Sequence, residues 1–365
     1  MGVCGENINN NKEHENNKFE IKSLKKLKSK KNSKYSKVKK NLEDKKELIN
    51  NQIYDIILNF ESIKQLKEIG CEIKFSKNGK EKYEKCKNKN NITIGILGEN
   101  KIGKSYILQR ILNSKKYLFP NGFLISTQNI STNFPYIEKN KCIFALDTTG
   151  IDKPLIQTKY NNNKDEKTFL KMVKDQKLTE YIIQDFIINE AIIPIVVLGQ
   201  LTFTGQMFLL NFIKKIEKKN NGNKHLMKNQ LIVIHNLLNI TKIESIQKYI
   251  DNTLLKSATF ILRKEKYMNN ESYDNKGYFY EQNNNYVKIF HFVIGNDSIN
   301  EIKKEYNEPA INKIRNIIKF SYQKKYDFIN SFKDLIINNS RKYFYTEGFQ
   351  QDSLYIDNKQ KKIYI

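Results

Sequence analysis

Residues 98 to 105, GENKIGKS, have the types and spacing of a phosphate cradle. Gly98, Gly103, Lys104 and Ser105 complete the pattern G-x-x-x-x-G-K-[ST]. The glycines allow the N–H groups of Glu99, Asn100, Lys101 and Ile102 to curl around one anion, and a helix N-terminus behind them favours negative charge. Lys104 would reach the β- and γ-phosphates and the Ser105 hydroxyl would ligate Mg²⁺, with Tyr106 next on the helix. The implied ligand is a nucleoside triphosphate, with Mg²⁺ as its cofactor.

Two further stretches fit the same chemistry. FALDTTG, 144 to 150, brings Asp147 to the end of an apolar strand, where parallel α/β sheets bind ligands. A carboxylate there holds Mg²⁺, through water, and Gly150 lets a backbone N–H approach a γ-phosphate. A strand-ending turn would carry the same residues. VIHNLLN, from Val233, offers His235, Asn236 and Asn239 where a base is read. Guanine recognition usually needs a carboxylate at the position of Asn239, because an amide oxygen accepts from one guanine donor while its NH₂ opposes the other. His235 could stack on a base, or be a half-buried histidine at a strand end.

These residues need a scaffold, and the chain alternates accordingly. Apolar runs at 92–97, 141–146, 191–198, 230–235 and 286–294 predict strands. Helical patterns at 104–112, 178–190, 205–218, 242–256 and 306–335 separate them. Short apolar strands between helices predict a three-layer α/β phosphate-loop domain with a mostly parallel sheet, over 91–335. Before it, Leu48, Ile53, Ile56, Ile57, Phe60, Ile63 and Leu66 recur at helical spacing, so 46–90 reads as an amphipathic helix ending at Gly70 and a polar connector with a possible strand, CEIKF. Arg263 to Asn285 reads as a surface insertion, and 336–365 as a C-terminal tail.

Composition sets the outer limits. The 365 residues carry a formal net charge of +25, with 60 lysines and four arginines. Scarce arginine argues against base reading in DNA, so no specific nucleic-acid partner is expected. Cys4, Cys71, Cys86 and Cys142 are irregularly spaced, with no zinc pattern, which suggests reduced thiols in a cytoplasmic setting. Residues 1–45 read as a disordered arm, with ten lysines and no acid between 21 and 40. MGVCGEN offers Gly2 for myristoylation and Cys4 for palmitoylation, although Glu6 stands where Ser or Thr is favoured. One acyl chain binds membranes marginally, and a lysine block supplies a second attachment to an anionic surface. Peripheral association with a cytoplasmic membrane face is therefore expected.

GENKIGKSYIL, GFLISTQNIST and FALDTTGID together resemble the guanylate-binding protein and atlastin branch of the dynamin-related GTPases. The resemblance covers about 60 residues well. It implies a G domain that binds GTP and GDP, with Mg²⁺, and acts as a GTPase or switch toward a protein effector or as a homodimer. By that pattern Thr132 is the catalytic, Mg²⁺-contacting threonine, and Lys101 holds the place of an arginine that neutralises transition-state charge. Ile130 replaces a serine that assists the attacking water. Lysine lacks the planar fork of arginine, so these two departures predict slow hydrolysis or a non-hydrolysing binding module. An ATP-using phosphate-loop enzyme is the further alternative.

Overall fold

A computed structural model describes residues 54–60, 62–68, 70–113, 130–134, 141–155, 166–220, 229–257, 262–264, 279–283, 287–339, 342–343, 355–357 and 362–364. The lysine-rich arm, Gly2, Cys4 and residues 114–129 lie outside these residues. In chain order the elements are β1 (Ile56–Asn59), α1 (Ile63–Glu68), β2 (Cys71–Phe75), α2 (Gly79–Lys87), β3 (Asn90–Gly98), α3 (Lys104–Leu112), β4 (Ile130–Asn133) and β5 (Lys141–Thr148). Then come α4 (Glu166–Glu190), β6 (Ile193–Leu198), α5 (Phe203–Asn220), β7 (Asn229–Leu237), α6 (Ile243–Tyr249), β8 (Leu262–Lys264), β9 (Phe279–Asn283) and β10 (Val287–Gly295). The last are α7 (Glu308–Lys319), β11 (Lys324–Lys325), α8 (Phe328–Asn338), β12 (Tyr355–Asp357) and β13 (Lys362–Tyr364).

The five apolar runs become the parallel centre of one sheet, in the order β5-β3-β6-β7-β10. Both faces of these strands are covered, which is why they read as near-continuous apolar runs. On one face Ile92, Ile94 and Ile96 of β3 pack with Ile107, Leu108 and Ile111 of α3 and Ile311, Ile314 and Ile318 of α7. On the other, Leu97, Phe144 and Leu146 pack with Ile182, Ile183 and Phe186 of α4 and Phe328 and Phe332 of α8. Helix α4 lies close to β3 at Gly95, where a Cβ would stand 2.8 Å from the Ile187 side chain. The result is the three-layer α/β architecture expected, with β3 central and its C-terminal end leading into the phosphate loop.

The chain before residue 91 departs from the single amphipathic helix. Residues 56–59 form β1, which pairs antiparallel with both β2 and β4, and only 63–68 are helical. Ile56, Ile57 and Leu58 are all buried, so both faces of this short run are covered. Three apolar residues in a row cannot distinguish a strand from a helix by periodicity, and the double pairing decides it. CEIKF is β2 as expected, and the stretch after it forms α2. The sheet therefore extends past β5 through β4, β1 and β2 to β13 and β12. At the other edge, β8 and β9 add antiparallel strands beside β10 within the stretch read as an insertion.

Cysteine spacing gave no pairing, yet Cys86 of α2 and Cys142 of β5 form a disulfide across 56 residues, with their Cα atoms 5.8 Å apart. Cys71 is a free, buried thiol whose ionisation burial pushes far up. The disulfide corrects the expectation of reduced thiols: α2, unrecognised in the sequence, sets Cys86 beside the start of β5. Closing a loop of this length stabilises a fold by about 2–4 kcal/mol. Reductant, or Cys142→Ser, should lower the urea midpoint of the full chain correspondingly. An unchanged midpoint would show that the link contributes nothing.

Candidate functional site

Strand β3 delivers the glycine-bearing loop to the C-terminal edge of the sheet. Gly98 (φ 154°) and Gly103 (φ 83°) take positive φ, and so does Lys101 (φ 61°), an exposed lysine at the crown of the loop. The loop is clipped to the end of β5 by two backbone bonds, Ile151 N–H to Gly98 O (3.1 Å) and Asn100 N–H to Ile151 O (2.9 Å). Gly150 sits so close that a Cβ there would lie 2.2 Å from Asn100 Cα. Only glycine fits, which explains its place three residues after Asp147.

Lys104 opens α3 with its side chain buried, and its ammonium donates to the Glu99 carbonyl at 2.7 Å. Burial lowers its pKa to about 8, while Asp147 pulls it up. This cation meets a loop carbonyl in a poorly solvated spot, a setting that a polyphosphate would improve. Ser105 follows in the first turn, half-buried. Tyr106 turns its hydroxyl to Asp297, in the segment after β10, and Arg110 pairs with the same carboxylate. Asn307 donates to the other oxygen of Asp297 at 2.6 Å. Asp297 was not singled out in the sequence, because it lies after the last apolar strand and matches no motif.

Alternation along strands determines which candidates gather here. Asp147 shares a face of β5 with Ala145, which packs in the α3 layer. It is buried, and Tyr54 donates to its Oδ2 at 2.5 Å. The residue opposite Asp147 in β4 is Ser131, also fully buried. Thr132 lies opposite Leu146, which packs in the α4 layer, so its side chain is on the far face of the sheet. Its carbonyl accepts from Asp55 N–H at 3.0 Å, and its hydroxyl is buried with no hydrogen-bond partner among the described residues. The register thus separates Thr132 from the phosphate loop and places Ser131 beside the carboxylate instead. Thr149 has a buried hydroxyl, likewise without a partner among the described residues, between Asp147 and the loop-facing Gly150.

The same alternation splits His235 from Asn236. Asn236 falls on the α3 side and donates from Nδ2 to Ile102 O at 2.7 Å, bracing the loop. His235 falls on the other side among Val233 and Leu237, fully buried. Its Nε2 is 3.1 Å from His291 Nδ1, and its Nδ1 is 3.1 Å from the Tyr249 hydroxyl. His235 therefore does not stack on a base; it belongs to a buried polar chain. Asn239 is exposed and lines an open depression of about 520 Å³ with Gln200, Lys242, Ser245 and Tyr249.

The oxygen donors on the α3 side suit Mg²⁺: the Ser105 and Ser131 hydroxyls and the Asp147 carboxylate are hard ligands. Among the described residues no group of three or more His, Cys, Asp and Glu is placed to hold a metal, so a phosphate would have to complete the shell. Among the described residues no helix is long and apolar enough to cross a membrane.

A phosphate-loop α/β fold is the class that this sheet and site define. No family model matches the chain, and no curated protein matches it. Among solved structures it is similar to a variant of Era from Aquifex aeolicus bound to GDP and AlF₄⁻, at 16% identity over 73% of this chain and 71% of that one, with a TM-score of 0.36. It is also similar to Era in complex with MgGDPNP and a segment of 16S ribosomal RNA, at 16% identity and the same coverage, with a TM-score of 0.34. The second protein is bound to RNA, whereas no specific nucleic-acid partner was expected for this chain.

Burial holds His235 at a pKa of about 3 and His291 well below the ordinary imidazole value. As pH falls through about 6.5, the unfolded chain takes up protons that the folded chain refuses. Stability is then full above that pH and declines toward pH 3, with a slope approaching about 1.4 kcal/mol per pH unit for each imidazole. Denaturation midpoints between pH 7 and 4 should trace this decline, and His291→Gln should flatten it. Equal slopes would remove the histidine pair as the cause.

Proposed function

We propose that the chain is a Mg²⁺-dependent, guanine-nucleotide-binding phosphate-loop protein that acts as a slow GTPase or switch. The observation that carries this reading is the convergence of the 98–105 loop, buried Lys104, Asp147, Gly150 and Asn236 on one face at one sheet edge. In this reading Lys104 and the loop amides hold the β- and γ-phosphates, except the Asn100 N–H expected among them, which is spent on Ile151 O, and the Gly150 N–H would face the terminal phosphate. Ser105 and Asp147 would hold Mg²⁺, with Ser131 beside them, and the ion would neutralise charge on the phosphates. Asn236 keeps the loop curled while its own strand approaches the base. Lys101 adds positive charge at the crown.

Hydrolysis is in-line attack of water on the γ-phosphorus, with these groups stabilising the charge that develops. Thr132 is not given the water-positioning role, because it lies across the sheet. That placement favours a second reading, a non-hydrolysing module that grips nucleotide and presents a surface to a protein effector or a second copy. Preference for guanine is proposed from the sequence resemblance. An amide at Asn239 leaves ATP as the competitor.

Titrating the full chain with GTP, ATP and their diphosphates, with and without Mg²⁺, tests the reading. Lys104→Ala should weaken triphosphate binding by about 10- to 100-fold, the value of a charged hydrogen bond. Equal binding by the variant and the parent would exclude this loop as the site. Phosphate release at background from a tight complex would leave the non-hydrolysing module.

Gly2, Cys4 and the lysines of 21–40 support attachment to an anionic membrane surface as part of the proposal. Labelled myristate should enter the parent and not Gly2→Ala. Background incorporation in both would end that part alone.

A further inference from the structure

Tyr54 belongs to no motif, yet it reaches the carboxylate on which the metal side of the site depends. Its side chain is 4% exposed, and its hydroxyl donates to Asp147 Oδ2 at 2.5 Å. Strand β4 lies between β1 and β5, so the Tyr54 ring spans the width of one strand to make this bond. The backbone that carries it is fastened on several sides. Asp55 N–H donates to Thr132 O at 3.0 Å, and Asp55 Oδ2 accepts from Phe134 N–H at 2.9 Å. Lys82 of α2 donates to Asp55 Oδ1 at 2.7 Å, and Ser76 N–H donates to the Asp55 carbonyl at 3.0 Å.

A buried carboxylate that receives one strong, directed donor loses its freedom to rotate about its last bond. The donor thereby selects which lone pairs face the ligand side. Partners of this kind raise the affinity of carboxylate metal sites, and removing them typically weakens metal binding by about 10- to 100-fold. A hydroxyl that served packing alone could be removed without touching that affinity.

We propose that Tyr54 is a positioning residue for the metal site, holding Asp147 by Oδ2 in the rotamer that meets Mg²⁺ on a nucleotide seated in the 98–105 loop. This rests on the phosphate-loop reading above. It also makes the antiparallel edge before the loop a working part of the site, with Asp55 fixing the strand on which the tyrosine is mounted.

The test is Mg²⁺ titration of the full chain saturated with a non-hydrolysable GTP analogue, beside titration of that analogue without metal. Tyr54→Phe should weaken Mg²⁺ binding about tenfold and leave metal-free analogue affinity unchanged. Asp147→Asn should also weaken Mg²⁺ binding, and adding Tyr54→Phe to it should change nothing further, because both act through one carboxylate. Unchanged Mg²⁺ affinity in Tyr54→Phe would overturn the proposal. So would tighter Mg²⁺ binding, which would make the tyrosine a competitor of the metal, or an equal loss with and without Mg²⁺, which would make it a packing residue. If the parent and Lys104→Ala bound the analogue equally, the underlying reading would fail, which is a different result from a silent Tyr54→Phe beside an impaired Lys104→Ala.

Discussion

Everything at the site follows from the two-residue alternation of strands covered on both faces. Once Ile92, Ile94 and Ile96 are committed to the α3 layer, neighbouring strands inherit the same division through their pairing registers. Asp147, Ser131 and Asn236 fall on that side, while Thr132 and His235 fall on the other. A slip of one residue in β5 or β7 would turn Asp147 or Asn236 to the far face and bring a strand neighbour to the loop in its place. Packing and chemistry are thus one constraint: the apolar residues that anchor a strand also choose which polar residue at its end can be used.

The loop itself is held by backbone more than by side chains. Two bonds join it to Ile151, an amide braces Ile102, and Gly150 is pressed against Asn100. Lys104 lies inside this enclosure with a depressed pKa, its charge opposed by burial and supported by Asp147. The segment after Gly150 is in turn tied to α4, since Asp152 N–H donates to Glu180 at 2.8 Å and Gln176 donates to Lys153 O at 2.5 Å. A few residues of chain thus connect the loop to α4.

The sequence made the parallel centre legible because its strands are apolar throughout and separated by helices of ordinary length. The loop was legible because glycine, lysine and serine at fixed spacing have few other physical uses. Three things were hidden. IILN carries no period of its own, and only its two partners make it a strand. Whether Thr132 or Ser131 meets Asp147 depends on a register that no local pattern records. Tyr54 and Asp297 act across 93 and 191 residues of chain on Asp147 and Tyr106, distances at which a single sequence gives no sign of contact.

The bond between Cys86 and Cys142 turns the chain between them into a covalent ring, and the whole of β3, the glycine loop and α3 lies on it. A peptide bond cut anywhere on the ring opens it without parting the molecule. The two halves stay joined at α2 and β5, and the glycine-bearing turn keeps its connection to both. A backbone break that would divide an uncrosslinked chain in two here leaves a single topological object.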